Sequence, residues 1–344
     1  MQLLEMHNIV KRFPGVLAND CVNLTVASGE VHALLGENGA GKTTLMNILY
    51  GLYQADAGEI LWEGKAVRFS SPLEAIKNGI GMVHQHFMLV QKMTVLQNII
   101  LGLKPEGHPF IKTAQVAHQL KDLSQKYGLI VDMNTRISDL SVGEQQRVEI
   151  LKALYRQAKL LILDEPTAVL TPQETTEFFN TLRILKSEGH SIILISHRLS
   201  EVMAISDRIT VLRDGKNIST LDTSQTTANE LSRLMIGRQL ATDVFERENP
   251  PETTPVVEVR DLELLCGNKK AKLHNIHFTL HKGEILGIAG VDGNGQVDLA
   301  EVLCGIKKPT SGVILYHGKD IKNEGIRSRF EKGISFVPDD RHKD

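Results

Sequence analysis

Apolar residues in this chain come in short runs set between longer stretches of helical spacing. Val31-His32-Ala33-Leu34-Leu35, Leu160-Leu161-Ile162-Leu163, Ser191-Ile192-Ile193-Leu194-Ile195 and Ile209-Thr210-Val211-Leu212 each read as a strand. Ala27 to Leu61 and Gly79 to Val83 read as strands and turns, interrupted where Leu45-Met46-Asn47-Ile48-Leu49 continues as an apolar-faced helix. From Thr94 to about Arg156 the pattern is helical, with Val116, Leu120 and Leu123 among its apolar positions, and further helices start at Pro172 and Leu199. Short apolar runs alternating with helices predict an α/β chain whose parallel sheet is covered on both faces. Functional residues then belong at the carboxyl ends of the strands.

The chain also repeats itself at an offset of 254 positions, without gaps between residues 29 and 83. Gly29-Glu30 falls on Gly283-Glu284, Gly36, Gly39 and Gly41 fall on Gly290, Gly293 and Gly295, and Gly51, Gly58, Gly64 and Gly79 fall on Gly305, Gly312, Gly318 and Gly333. So many glycines at one offset imply the same turns in the same order. The expected organisation is a complete domain over residues 1–240, a linker over 241–255 and the N-terminal part of a second domain over 256–344. The polar, proline-bearing stretch Glu246 to Pro255 carries the linker assignment. Because the second copy stops just past the counterpart of Gln85, the chain reads as a fragment of a longer one.

With 42% hydrophobic and 5% aromatic residues, the core is built mainly from aliphatic side chains. A net charge of −2 gives no electrostatic footprint for nucleic acid. Cys21, Cys266 and Cys304 are odd in number and widely spaced, which suits a reducing compartment and argues against a disulfide framework or a zinc site. The N-terminus has no signal-peptide pattern, and no apolar run reaches the roughly 18 residues of a membrane span. Any membrane role must come through a partner.

The candidate chemistry starts at Gly36-Glu37-Asn38-Gly39-Ala40-Gly41-Lys42-Thr43-Thr44, which fits G-x-x-x-x-G-K-[ST] between a strand and a helix. Such a loop curls its backbone N–H groups around phosphates at a helix N-terminus, with Lys42 supplying a point charge and Thr43 a hydroxyl for Mg²⁺. Leu160 to Leu163 ends in Asp164 and Glu165. Carboxylates at a strand tip beside a triphosphate can hold Mg²⁺ and take a proton from the attacking water. Upstream, Leu140-Ser141-Val142-Gly143-Glu144-Gln145-Gln146 opens a helix and offers a second anion site.

With these motifs in this order the sequence resembles the ATP-binding-cassette (ABC) ATPases, whose signature is L-S-G-G-Q. Gln85 in Gly81-Met82-Val83-His84-Gln85 matches the family's Q-loop, His197 in Ile195-Ser196-His197-Arg198 its switch histidine, and Phe13 its aromatic under the adenine ring. Singly, a histidine at a strand end is more often structural, and a lone phenylalanine more often core. The resemblance implies a P-loop NTPase of the ABC type, with a parallel-sheet core, an antiparallel β subdomain and a helical subdomain, the second copy being incomplete. It assigns ATP to residues 36–44 and Phe13, Mg²⁺ to Thr43, Gln85 and Asp164, and catalysis to Glu165, His197 and Gln85. Ser141 and Gly143 would face the nucleotide of a second module, so that one module alone binds ATP but hydrolyses it poorly, and two copies of a chain like this one would have to pair.

Departures from the family pattern carry further expectations. Glu144 replaces glutamine and would bring negative charge toward the partner's nucleotide, and Thr171 stands where many members carry aspartate, weakening a cross-module hydrogen bond. In the second loop, Gly290-Val291-Asp292-Gly293-Asn294-Gly295-Gln296-Val297, the lysine and the metal-binding hydroxyl are gone, and Asp339 replaces the Q-loop glutamine. That site should bind ATP poorly and hydrolyse none.

Tandem modules with one degraded loop resemble the ATPase subunits of bacterial sugar importers of the ribose and galactose type, and the strings Gly81 to Val90 and Leu140 to Ile150 resemble the nucleoside-import branch. The implied function is an ATPase subunit, peripheral on the cytoplasmic face of the membrane, that powers import of nucleosides or simple sugars. Its implied partners are a transmembrane permease, a second ABC module and, indirectly, an extracellular substrate-binding protein, with no nucleic acid. The permease is expected to contact His86 to Gly102, with Phe87, Met88 and Met93 exposed. The competing readings are a soluble tandem ABC protein acting on the ribosome or nucleic acid, and a non-hydrolysing regulator. The short, Glu- and Pro-bearing linker argues against the first and the presence of Glu165 against the second.

Overall fold

The structure, a computed structural model, describes residues 1–85, 87–103, 113–168, 170–237, 253–266, 270–290 and 293–338. They fall into two compact units, Met1–Ala241 and Thr242–Asp344.

The first unit opens with a long hairpin, β1 (Gln2–Phe13) and β2 (Val16–Ala27), then β3 (Val31–Leu35), α1 (Lys42–Leu49), β4 (Ala57–Trp62), β5 (Lys65–Val67), α2 (Pro72–Lys77) and β6 (Ile80–Val83). Helices α3 (Val95–Ile100), α4 (Thr113–Tyr127) and α5 (Val142–Tyr155) follow. The chain then alternates through β7 (Leu160–Asp164), α6 (Pro172–Ser187), β8 (Ser191–Ser196), α7 (Leu199–Ile205), β9 (Arg208–Arg213), β10 (Lys216–Asp222) and α8 (Ala228–Ile236).

Two sheets result. Strands β2-β1-β4-β5 form an antiparallel sheet in which Leu4, Met6, Val22, Leu24 and Val26 turn one apolar face inward at period two. The other sheet runs β10-β9-β3-β8-β7-β6, parallel throughout except for the β9–β10 hairpin. Strands β3, β7 and β8 are buried at every position, as central strands covered on both faces require. One face, with Leu161, Leu163, Ile192 and Leu194, packs against α3 to α6. The other, with Leu34, Leu160, Ile162 and Ile193, packs against α1 and the antiparallel sheet.

This strand order positions the chemistry. Leu35 lies beside Ser196, Asp164 beside Ile195 and Val83 beside Leu163. The carboxyl ends of β3, β8, β7 and β6 are therefore successive neighbours, and each leads into one of the motifs. The crossovers that the parallel sheet demands are the helices foreseen from Pro172 and Leu199.

The second unit contains β11 (Pro255–Cys266), β12 (Lys270–His281), α9 (Gln296–Cys304), β13 (Ser311–Tyr316), β14 (Lys319–Asp320) and α10 (Ile326–Glu331), with a sheet ordered β12-β11-β13-β14. Strand β11 begins at Pro255, inside the stretch read as linker, and most of that stretch lies outside the described residues. The repeat holds in the backbone: Gly39 and Gly293 share φ 84, Gly41 and Gly295 have φ 92 and 95, and even Glu63 and His317 match at φ 50 and 49. Two elements do not recur: residues 285–290, counterparts of β3 and its following glycine, and residues 334–337, counterparts of β6, form no strand, and Ile285 is 94% exposed. In the first unit β3 is paired by β8 and β9, and this sequence holds no second copy of those strands.

Arg329, 1% exposed, occupies the position of Ala75 in the first unit and donates to five carbonyls, those of Glu324, Val302, Leu303, Ile321 and Lys322, at 2.7–3.1 Å. It thereby ties the end of α9 to the turn before α10. Arg329→Met keeps the apolar bulk but orphans those carbonyls, and is expected to cost about 3 kcal/mol. Hydrogen exchange read separately on each unit would show about 100-fold faster exchange in α9 and α10, with the first unit unchanged.

Candidate active site

The phosphate-type loop, residues 36–41, joins β3 to α1. Its curl depends on glycine at two points: a Cβ on Gly41 would lie 2.2 Å from the Ala18 carbonyl oxygen, and one on Gly36 would lie 2.3 Å from that of Leu212. Gly41, at φ 92, is the N-cap of α1 and makes no side-chain cap to that helix. Glu37, Asn38, Gly39 and Ala40 complete the loop, and Thr43 and Thr44 stand in the first turn of α1. Helix N-terminus and curled loop together make an anion cradle.

Lys42 is 6% exposed, and its Nζ donates to the carbonyls of Gly36 at 2.8 Å and Glu37 at 2.9 Å. Burial lowers its pKa, and the carboxylates of Glu165 and Asp164 pull it back up. The hydroxyl of Thr43 donates to Asp164 Oδ2 at 3.2 Å. Asp164 is 5% exposed and its pKa is raised, first by burial and also by the adjacent Glu165, against the hydrogen bond from Thr43. A desolvated carboxylate and a hydroxyl, both hard oxygen donors converging beside an anion cradle, fit a Mg²⁺ ion that keeps waters and phosphate oxygens in its remaining positions.

Glu165 sits just past the end of β7 at φ 46, a left-handed conformation uncommon for a residue with a Cβ. Its amide donates to the Ile195 carbonyl at 3.0 Å, which holds the turn against β8. So placed, the carboxylate meets two other motifs: His197 Nδ1 lies 2.9 Å from Oε1, and Gln85 Nε2 donates to Oε2 at 3.3 Å. Residues 80 and 32 positions away in sequence thus converge on one carboxylate.

The remaining candidates lie elsewhere. Among the described residues no hydrogen bond joins Ser141 or Gly143 to residues 36–44. Ser141 caps α5 in a reciprocal box with Glu144, whose Oε2 accepts from the Ser141 amide at 2.8 Å and hydroxyl at 2.9 Å. The charge of Glu144 is thereby held at the N-terminus of α5, against the Ser141 amide and hydroxyl. Thr171 likewise caps α6 in a box with Glu174. Gly143 is buried, and a Cβ there would lie 2.7 Å from Glu174 Oε1. Phe13, half-buried at the tip of the β1–β2 hairpin, meets Tyr53 edge-on at 5.4 Å and carries the Lys11 ammonium 5.5 Å from its ring. Of the three side chains expected to be exposed after Gln85, only Met88 is, at 65%; Phe87 packs on the helical core and Met93 is half-buried.

Three supporting residues escaped the sequence reading. Gln146, 2% exposed, donates to the Pro166 carbonyl at 2.9 Å and joins α5 to the turn after Glu165. Glu201 accepts from Thr167 at 2.5 Å and Ser196 at 3.3 Å and pairs with Arg198 at 3.1 Å, bracing the turns that carry Glu165 and His197. Asn19 donates to the Gly41 carbonyl at 3.1 Å from the hairpin. Glu201 alone left a signal, a charge on the apolar face of Leu199, Val202 and Ile205.

The ABC transporter family profile matches residues 20–168 and 273–344. The chain is 45% identical over 368 residues to the glucose import ATP-binding protein TsgD13 of Haloferax volcanii and 48% identical over 341 residues to the guanosine import ATP-binding protein NupO of Bacillus subtilis. Each match takes in 99% of this chain and 67% of the relative, so the chain spans about two thirds of their length. Among solved structures, the ADP conformation of MJ1267, an ATP-binding cassette of an ABC transporter, superposes with a TM-score of 0.61 at 28% identity, covering 69% of this chain and all of that one.

Proposed function

The chain belongs to the ABC transporter family of ATPases, and from that premise we propose that it is the ATP-hydrolysing subunit that powers nucleoside import through a transmembrane permease. The observation that carries the catalytic part is the convergence of Gln85 and His197 on the Glu165 carboxylate, beside the loop that holds Lys42. In this reading residues 36–44 cradle the triphosphate, Lys42 exchanging its carbonyl partners for phosphate oxygens, and Phe13 lies against the adenine. Thr43, Asp164 and Gln85 hold Mg²⁺, which when bound neutralises charge on the phosphate oxygens. Glu165 takes the proton of the attacking water, Gln85 orients that water, and His197 steadies the carboxylate and the departing phosphate. Ser141 and Gly143, at the N-terminus of α5, serve the nucleotide of a facing module.

Nucleosides are favoured by the Gly81 to Val90 and Leu140 to Ile150 strings and by the guanosine importer's 48% identity; the glucose importer, at 45%, keeps simple sugars as the second cargo class. The permease docks beside Gln85, where exposed Met88 borders a groove lined also by Tyr50, His84 and Arg156. Among the described residues no helix is long and apolar enough to cross a membrane, so membrane attachment in this reading comes through that partner. Uptake of labelled uridine, adenosine and ribose by cells carrying the full-length protein or its Lys42→Ala variant tests the proposal. Loss of nucleoside uptake alone is the expected result. Loss of ribose uptake alone would move the cargo to sugars, and no change in any of them would reject the importer reading.

A further inference from the structure

The segment that follows Gln85 is fastened to the helices by its backbone. Glu149 on α5 is 5% exposed, and its Oε1 accepts from the Met88 amide at 2.8 Å. One turn along the same helix, Lys152 Nζ donates to the Met88 carbonyl at 3.3 Å and lies 3.4 Å from Glu149 Oε2. Both backbone polar groups of one residue are thus captured by two mutually paired side chains. Two residues on, Asn98 of α3, 1% exposed, repeats the arrangement, accepting from the Val90 amide at 2.7 Å and donating to the Val90 carbonyl at 3.1 Å. Leu89 between them is buried.

We propose that Glu149 and Lys152 are positioning residues for hydrolysis, locking Met88 to α5 so that Gln85 is held against Glu165. This rests on the ATPase reading above. A carboxylate this buried is costly unless its partners are fixed, and its partners are one ammonium and one amide that belongs to the loop rather than to the helix. Met88 stands only three positions after Gln85, at most about 10 Å of chain, which leaves little slack between the two. The Gln85 hydrogen bond to Glu165 is long, and its side chain is exposed, so it depends on where its backbone is held. Met88 itself faces outward at the groove. A partner pressing on its side chain would displace the same backbone that α5 grips, and α5 carries Ser141 and Gly143 at its other end. One clamp therefore ties the exposed methionine, the glutamine beside Glu165 and the helix of the signature motif into a single moving body.

The test uses the full-length protein with Glu149→Ala, Glu149→Gln, Lys152→Met and Lys42→Ala, reading ATP turnover against KM and hydrogen exchange of the peptide around Met88. Glu149→Ala is expected to lower kcat about tenfold with the KM for ATP within twofold, and to raise exchange around Met88 at least tenfold while the interior of α5 stays protected. Glu149→Gln, which can still accept from the Met88 amide, is expected to recover most of kcat; Lys152→Met should shift both readouts in the same direction as Glu149→Ala, by about threefold. Unchanged exchange around Met88 in Glu149→Ala and Lys152→Met overturns the clamp, and faster exchange with unchanged kcat overturns its positioning role. If Glu149→Ala fails to fold, Lys152→Met decides by the same criteria. Equal turnover in wild type and Lys42→Ala would instead sink the ATPase reading, and the exchange of the Met88 peptide would then decide the clamp alone.

Discussion

Replacing Glu165 by Gln is expected to lower ATP turnover by about 10³-fold while leaving ATP binding within a few-fold of the unaltered protein. The size follows from what a positioned general base contributes, about 10²- to 10⁴-fold. Glutamine has the same shape, and at φ 46 it carries the same backbone cost as glutamate, so the turn after β7 should be kept. What it loses is basicity: an amide oxygen cannot hold the proton of the attacking water. It also loses the charge that His197 Nδ1 and Gln85 Nε2 both face at 2.9 and 3.3 Å. The cradle of residues 36–41 and the buried ammonium of Lys42 are untouched, which is why binding should persist. Single-turnover hydrolysis of labelled ATP, beside equilibrium binding of the same nucleotide, separates the two effects. Turnover within tenfold of wild type would mean that another group takes the proton, and the assignment of Glu165 would have to be withdrawn.

The strands of the central sheet were legible because burial on both faces leaves runs such as Leu160 to Leu163 with no polar interruption, and that pattern needs no knowledge of partners. The hairpin β1–β2 was not read, since alternation there is broken by irregular register at several points between Gln2 and Phe13. The site was legible wherever a motif's spacing is itself the chemistry, as from Gly36 to Thr43. It was only partly legible where a local partner takes the side chain. Ser141-x-x-Glu144 and Thr171-x-x-Glu174 are both capping-box patterns, and in each the acid folds back to an amide of its own helix terminus. Glu149 was invisible for a different reason: its partner is a backbone amide 61 residues away, and no periodicity along α5 announces such a contact. Phe87 shows the same limit, because its apolar character suits a docking surface and a core equally well.

Lys42→Ala is expected to weaken ATP binding by about 10²-fold or more, whereas Gln296→Ala at the matching position of the second unit should leave the overall affinity unchanged. The two loops match where both are described: glycine φ values of 84 and 92 are matched by 84 and 95, and α1 and α9 start at the same point of the repeat. The difference in affinity is therefore expected chiefly from the side chains. In the first loop a buried ammonium waits on two carbonyls and Thr43 lies against Asp164. Removing one partner of a buried charge pair typically costs about 2–5 kcal/mol, which is the basis of the expected loss. In the second loop Gln296 brings no charge and Val297, 42% exposed, brings no metal-binding oxygen. Asp298, at the position of Thr44, adds a carboxylate in the first turn of α9, where a phosphate would otherwise profit from the helix terminus. Burial raises the pKa of that carboxylate, but Lys307 and Lys272, which donate to it, outweigh burial and hold it below its usual value, so it stays charged across the physiological range. It opposes an anion throughout that range, although its two lysines soften the repulsion. Titration of a non-hydrolysable ATP analogue into wild type and both variants should therefore resolve one strong site that only Lys42→Ala abolishes. An equal loss in Gln296→Ala would mean that the shared backbone cradle, without cation or metal ligand, is enough to hold the nucleotide.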